Sequence, residues 1–130
     1  SDIRALLRNH VLGIAGVTNL IGSRFFPANH SAIKDPTYTL GNFTVSGGRT
    51  DEYKELFNIQ VPIWTHSTTN FDEAHQVYNQ IRDRVHRELI AGVTVSFVLW
   101  ETSPPIEQHD EVHRIFTVQG RFRTQVLIKL

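Results

Sequence analysis

The sequence contains no cysteine, so disulfide bonds, thiolate metal ligands and cysteine nucleophiles are excluded within these 130 residues. It also lacks any apolar run close to the roughly 20 residues that a membrane-spanning helix needs. Net charge is absent as well, because 13 Lys and Arg balance 13 Asp and Glu. A dedicated nucleic-acid-binding domain usually shows a clear basic excess. The absences therefore favour a globular domain without a membrane span or a specific nucleic-acid site.

The composition is that of one folded domain covering residues 1–130. Hydrophobic residues make up 40% of the chain, and a chain of this length can bury roughly two-thirds of its unfolded surface. The charges are distributed unevenly: residues 51–55 and 107–111 are acidic, whereas the C-terminal segment is basic. Blocks of opposite sign can pair within the fold or between identical subunits, or they can form a mixed, solvated surface.

Two segments have the three-and-four spacing of apolar residues that predicts helices. The first is Asp2–Leu12, followed by a short helical turn at Val17–Ile21. The second is the long helix 70–91, with Asn70 as its N-cap and Gly92 just beyond its C-terminus. A helix of this length measures roughly 30 Å and can cover a small sheet.

The remaining apolar segments alternate as strands do. In Tyr53–Trp64, one predicted face carries Ile59, Val61 and Ile63, and Pro62 indicates a sheet edge or a bulge because it has no N–H to donate. Other strands are predicted at Tyr38–Ser46, Val93–Glu101 and His113–Ile128, with a loop at 102–111 and an interruption at Gly120. The predicted fold class is α+β: an antiparallel sheet of about four strands, with an N-terminal helix and one long helix (70–91) packed on it.

The seven histidines suggest a search for metal or acid–base chemistry. His109 and His113 are four residues apart, but the HExxH order is missing, and in a strand that spacing corresponds to about 13 Å. His66, next to Trp64, is interpreted either as a pocket histidine or as a polar residue that ends a strand. No phosphate loop and no nucleophile elbow is present. The prediction is therefore no enzyme, with no catalytic, cofactor or metal residue.

A self-associating structural subunit fits the pattern better than a catalyst. Glu107, Asp110 and Glu111 form an acidic cluster on the predicted Pro-rich loop, and long polar loops often serve contacts. The predicted sheet edge must be protected or used for pairing with another chain. Arg121 and Arg123 point away from the apolar face of the last strand. In an assembly they can meet acidic residues of a neighbour or face the lumen.

The order of these elements resembles that of the tail-completion, or tail terminator, proteins of long-tailed phages and gene transfer agents. The resemblance covers nearly the full length and rests on order and pattern rather than on one diagnostic motif. The segments that carry it, after the N-terminal amphipathic helix, are "GVTNLIGSRFFP", "DPTYTL", "FNIQVPIWTHS", "FDEAHQVYNQIRDRVHREL" and "HRIFTVQGRFR".

The resemblance implies a virion protein of the tail or neck, assembled in the host cytoplasm. Its subunits would form a ring, typically a hexamer, that caps the head-proximal end of the tail tube and ends tube polymerisation. The implied partners are other copies of the chain, the tail-tube protein and a head-side connector or neck protein. DNA would pass through the lumen without specific binding, and no membrane, catalysis or cofactor is implied. The residues predicted to contact subunits, tube or head are Arg49, Asp51, Glu52, Glu107, Asp110, Glu111, Arg121 and Arg123.

Two other functions remain open from the sequence. A small α+β ligand-binding or dimerisation module without catalytic activity could hold a ligand near Trp64 and His66. A metal-dependent hydrolase would use His109, Asp110 and His113. Native mass spectrometry and metal analysis of the purified protein distinguish these alternatives from a ring-forming subunit.

Overall fold

The structure, a computed structural model, describes residues 3–28, 39–46, 59–92 and 95–129. Within these ranges the chain forms three helices, α1 (Ile3–Leu12), α2 (Ala15–Ile21) and α3 (Phe71–Val85). The strands are β1 (Phe25–Phe26), β2 (Leu40–Phe43), β3 (Gln60–Ser67), β4 (Leu89–Ile90), β5 (Val95–Asp110) and β6 (Ile115–Lys129).

The strands form one six-stranded sheet in the order β1-β2-β3-β6-β5-β4. The α+β class is confirmed, but the prediction of about four strands was too low. The two additional strands, β1 and β4, have two residues each and lie at the edges of the sheet. Segments this short contain too few residues for an alternating pattern to be recognised. The β1–β2 pair is parallel, whereas all the other pairs are antiparallel.

Strand β3 lies in the middle of the sheet, between β2 and β6, so the prediction of an edge at Pro62 was wrong. The carbonyl of Pro62 accepts from the Thr44 N–H at 3.3 Å, which places its missing N–H on the β2 side. Strand β2 ends at Phe43, one residue before Thr44. Proline is thus accommodated in a central strand at the loss of one ladder hydrogen bond, because Ser46 and Gln60 pair again two residues further on.

The β5–β6 hairpin is the longest feature of the sheet, with strands of 16 and 15 residues. Strand β5 continues through residues 102–111, which the sequence predicted to be a loop, as far as Asp110. Pairing with β6 shifts register around Pro104 and Pro105. The extra residues form bulges, the places in a sheet where proline is tolerated. Strand β6 runs through Gly120 without the predicted interruption.

Helix α3 begins as predicted and ends six residues early. The Asn70 side chain accepts the Glu73 N–H at 2.8 Å, so the predicted N-cap is confirmed. The helix ends at Val85 rather than 91, because Arg87 adopts a φ of 62° and its N–H donates to the Leu99 carbonyl of β5. The chain then joins the sheet as β4, so the helix does not extend to the predicted end before Gly92.

The helices cover one face of the sheet. The Thr65 hydroxyl of β3 donates to the Ala74 carbonyl of α3 at 2.8 Å, and the Tyr78 ring contacts the Phe122 ring of β6. Ile59, Val61 and Ile63 are buried as their alternation predicted. The residues that alternate with these therefore point to the opposite face, which none of the described helices covers and which we call the helix-free face.

Candidate interaction surface

A polar cleft of about 420 Å³ opens at the helix-free face. We call it the arginine cleft, because two arginines of β6 are its charged residues. Its lining residues come from β3, β5, β6 and the segment after β2: Ser46, Gln60, Pro62, Thr102, Gln119, Arg121, Phe122 and Arg123.

The register of the sheet places the two arginines side by side in this cleft. Gly120 and the Phe122 ring meet Tyr78 on the helix side, so Arg121 and Arg123 alternate to the other face. Arg121 lies opposite Pro62 of β3, and Arg123 opposite Gln60. The predicted outward direction of both arginines is confirmed.

Both guanidinium groups lack a carboxylate partner within the described part of the chain. No Asp or Glu among those residues lies within 4.0 Å of either group, and both side chains are exposed. The Arg123 guanidinium carbon lies 5.6 Å from the centre of the Trp100 ring, a distance typical of a cation–π contact. This contact leaves the N–H groups of the guanidinium able to bind a carboxylate or a phosphate.

The acidic residues lie at the other end of the β5–β6 hairpin, in residues 106–114, which we call the hairpin end. Asp110 Oδ1 accepts the N–H groups of Val112 at 3.0 Å and His113 at 3.1 Å, and the His113 ring lies 2.9 Å from Oδ2. These hydrogen bonds, chiefly the one from the His113 side chain, lower the pKa of Asp110 below its ordinary value of 3.8. Glu107 forms a 2.8 Å ion pair with His75 of α3 when that ring is protonated. Glu111 is exposed in the turn.

The hairpin end also exposes apolar side chains. Val112, in the turn, is 85% exposed, and Ile106, in β5, is 47% exposed. Arg114 provides one positive charge against Glu107, Asp110 and Glu111. The hairpin end is therefore a net acidic surface with apolar residues at its centre.

The arginines of the cleft and the turn of the hairpin end, residues 111–114, are too far apart to meet within one chain. Six residues of β6 separate Ile115 from Arg121, which at about 3.3 Å per residue is roughly 20 Å. Both lie on the same stiff pair of strands, so bending does not bring them together.

The structure thus brings together only part of the predicted contact set. Arg121 and Arg123 share the cleft, and Glu107, Asp110 and Glu111 share the hairpin end. Arg49, Asp51 and Glu52 lie outside the described residues. Sequence reasoning missed the polar lining residues Gln60, Thr102 and Gln119, because only the register of three strands shows that they adjoin the arginines.

The alternative sites are less well supported. Within the described ranges no group of three or more His, Asp or Glu is arranged to hold a metal ion. His113 contacts Asp110 in the turn, whereas the His109 ring stacks on Phe116 with 4.4 Å between ring centres. The two histidines therefore have separate partners and do not converge with Asp110 on one point.

His66 lies next to the last residue of β3, as its interpretation as a strand-end residue implies, and it is not a pocket residue. Its side chain is 2% exposed, within β3. Nε2 lies 2.7 Å from Asn42 Oδ1, and Nδ1 lies 2.8 Å from the Thr117 hydroxyl. Because the Asn42 oxygen can only accept, Nε2 carries the proton and Nδ1 accepts from Thr117. Both ring nitrogens are occupied, so a ligand has no free nitrogen to bind.

Comparison with known proteins gives a likeness of fold. No family model matches the sequence, and no curated protein matches it. The fold is similar to that of a chain in the solved virion of a native gene transfer agent particle. The TM-score is 0.70 at 13% sequence identity, over 94% of this chain and 92% of that chain. At this identity the likeness establishes a shared fold. Separately, none of the described helices combines the length and apolarity of a membrane-spanning segment.

Proposed function

We propose that this chain is a structural virion protein whose copies form a ring at the head-proximal end of a tail tube. The ring ends tube polymerisation and provides the surface that joins tail to head. The observation that supports this most is the fold shared, over 94% of this chain, with a chain of a gene transfer agent virion.

The surfaces of the chain are suited to such an assembly. The arginine cleft and the hairpin end have opposite charge and lie at different places on the subunit. A contact between two different surfaces is heterologous, and repetition of a heterologous contact produces a closed ring or an open filament. The partners in this proposal are further copies of the chain, the tail-tube protein and a head-side neck protein. The lumen lets DNA pass without specific binding, and no cofactor or catalytic step is involved.

The test is co-assembly with the tail-tube protein encoded alongside this chain. We expect native mass spectrometry to show a ring of about six copies, and electron microscopy to show that ring at one end of each tube. Particles made without the chain should have tubes of uncontrolled length. Tubes of normal length in its absence would contradict the proposal.

A second candidate is a small ligand-binding or dimerisation module, favoured by the volume of the arginine cleft. At about 420 Å³ the cleft lies within the range of small-molecule sites. A dimer that binds one small anion per subunit and ignores the tube protein would support this candidate.

A further inference from the structure

We propose that the arginine cleft of one copy receives the hairpin end of a second copy, with Glu111 of the second copy facing Arg121 and Arg123. This contact deepens the proposed ring function and rests on it, since it names which two surfaces of neighbouring subunits meet.

The first support is charge. Arg121 and Arg123 lie on adjacent outward positions of β6 and lack a carboxylate within 4.0 Å among the described residues. Two adjacent guanidinium groups repel each other, and a carboxylate between them relieves that repulsion while accepting bidentate hydrogen bonds. Glu111 is the acidic residue of the hairpin end that neither His75 nor His113 engages.

The second support is the apolar surface. Val112, next to Glu111, is 85% exposed, and an exposed apolar side chain on a turn gains stability when another surface covers it. The arginine cleft offers the apolar side chain of Pro62 among its lining residues. A turn that inserts Glu111 and Val112 together therefore meets both a charged and an apolar part of the cleft.

The third support is reach. Roughly 20 Å of strand separates Arg121 from the turn 111–114 of the same chain, so this turn can enter the cleft of another copy but not its own. Each copy has one cleft and one hairpin end, so each can receive one neighbour and be received by another. This is the head-to-tail contact from which rings are built.

The absence of cysteine from all 130 residues makes a cross-linking test unambiguous. The double variant T102C/V112C places one thiol in the cleft and one in the turn, with every charge retained. Within one chain, roughly 25 Å of β5 separates Thr102 from the turn, whereas a disulfide requires Cα atoms within about 7 Å. Any disulfide therefore joins two copies.

We expect the concentrated, oxidised full-length double variant to give a ladder of two, three and more linked subunits on a non-reducing gel, which collapses on reduction. Each single variant should give no species larger than a dimer. The matched control T102C/Q76C moves the second thiol to the exposed face of α3 and should give no ladder. The absence of a ladder in T102C/V112C would overturn the proposal.

Charge reversal tests the chemistry of the contact. In the T102C/V112C background, R121E/R123E and E111R should each reduce cross-linking at least tenfold, and combining all three reversals should restore much of it. The control D83R changes an exposed carboxylate of α3 and should leave the ladder unchanged. Circular dichroism spectra confirm that each variant is folded. A ladder that resists both reversals would overturn the proposal.

Other outcomes separate this contact from the ring function. If native mass spectrometry shows a ring while the introduced thiols stay unlinked, the contact is wrong and the ring function stands. If the ladder forms but tails built without the chain have normal length, the ring function is wrong and the contact stands. A third outcome would overturn the proposal: a short duplex DNA binds the chain, R121E/R123E abolishes that binding, and no ladder forms. The cleft would then be a site for phosphate groups.

Discussion

At the scale of single residues, the described glycine with the least room for a side chain is Gly120, which packs against Tyr78. A Cβ atom on Gly120 would overlap the Tyr78 hydroxyl and ring. That hydroxyl donates to the Glu101 carboxylate, which also accepts from Arg82 Nε at 2.9 Å. Burial and the hydrogen bond to Glu101 raise the pKa of Tyr78 above its ordinary value, so the hydroxyl remains a donor. Gly120 is thus the small residue that lets α3 attach to the hairpin.

Gly120→Ala should destabilise the protein by about 1–3 kcal/mol, the usual cost of overpacking a core. Chemical denaturation followed by Trp fluorescence measures the change. Gly13→Ala is the matched control, because a Cβ there comes no closer than 3.4 Å to another atom, and its effect should be small. Equal stabilities for the two variants would show that Tyr78 moves aside without cost.

The Asp110 turn should depend on pH in an acidic window. Its hydrogen bonds from His113 and Val112 hold the pKa of the carboxyl below 3.8. A depressed native pKa means that the stabilisation is present above the unfolded-state pKa and is lost as the pH falls through the lower, folded-state value. An NMR titration of the Asp110 carboxyl carbon should therefore have its midpoint below 3.8. In His113→Ala the midpoint should rise towards that value, and an unchanged midpoint would contradict the role of the His113 side chain.

At the scale of elements, the two ends of α3 have different causes. Its start depends on a local interaction, the Asn70 cap, which can be read from neighbouring residues. Its end depends on β5, because Arg87 turns to donate to Leu99, twelve positions further along the chain. Leaving the helix at this point requires the left-handed conformation of Arg87, with a φ of 62°, which is energetically unfavourable for a residue other than glycine.

Arg87→Gly should stabilise the protein by about 0.5–1 kcal/mol, because glycine adopts this conformation without strain but loses more entropy on folding. Arg84→Gly, within α3, should instead destabilise it by about 1 kcal/mol. Thermal unfolding monitored by circular dichroism gives both values. A loss of stability in Arg87→Gly would show that its side chain contributes more than its backbone strain costs.

The contrast between local and long-range interactions explains how much of the fold and of the candidate site the sequence could predict. The alternation of β6 was sufficient to place Arg121 and Arg123 on the outward face, because successive side chains of a strand point to opposite faces and the charged ones favour the solvent. Pro104 and Pro105 led to a loop prediction, although β6 holds them in a bulged strand. The lining of the cleft could not be predicted, because it depends on which residues of β3 and β5 lie opposite the arginines.

At the scale of the whole molecule, the β5–β6 hairpin carries both proposed contact surfaces. Its base lies in the sheet under α3, and its end carries exposed Val112 and Glu111. The ion pair between His75 and Glu107, at 2.8 Å, joins that end to the helix. This contact and the pairing of β5 with β6 fix the position of the turn relative to α3, which favours a defined angle between neighbours in the proposed assembly.

Shortening the hairpin should separate folding from assembly. Asp110 and Ile115 are paired at the base of the turn, so the segment 111–114 can be replaced by Asn-Gly, a preferred two-residue hairpin loop. We expect the melting temperature to change little and the native mass spectrum to shift to monomers. Val112→Ser, which keeps Glu111 and the loop length, should weaken association less. Undiminished association of the shortened chain would place the contact elsewhere.

Pro104 and Pro105 limit the pairing of a further strand with the outer edge of β5. Beyond Glu101, the outer edge of β5 has no strand partner among the described residues. Consecutive residues of a strand direct their N–H groups to opposite sides, so one of the two absent donors falls on this edge. An incoming strand therefore meets a gap and a bulge where it would need a continuous ladder. This edge of β5 is thus a poor template for edge-to-edge stacking of further copies.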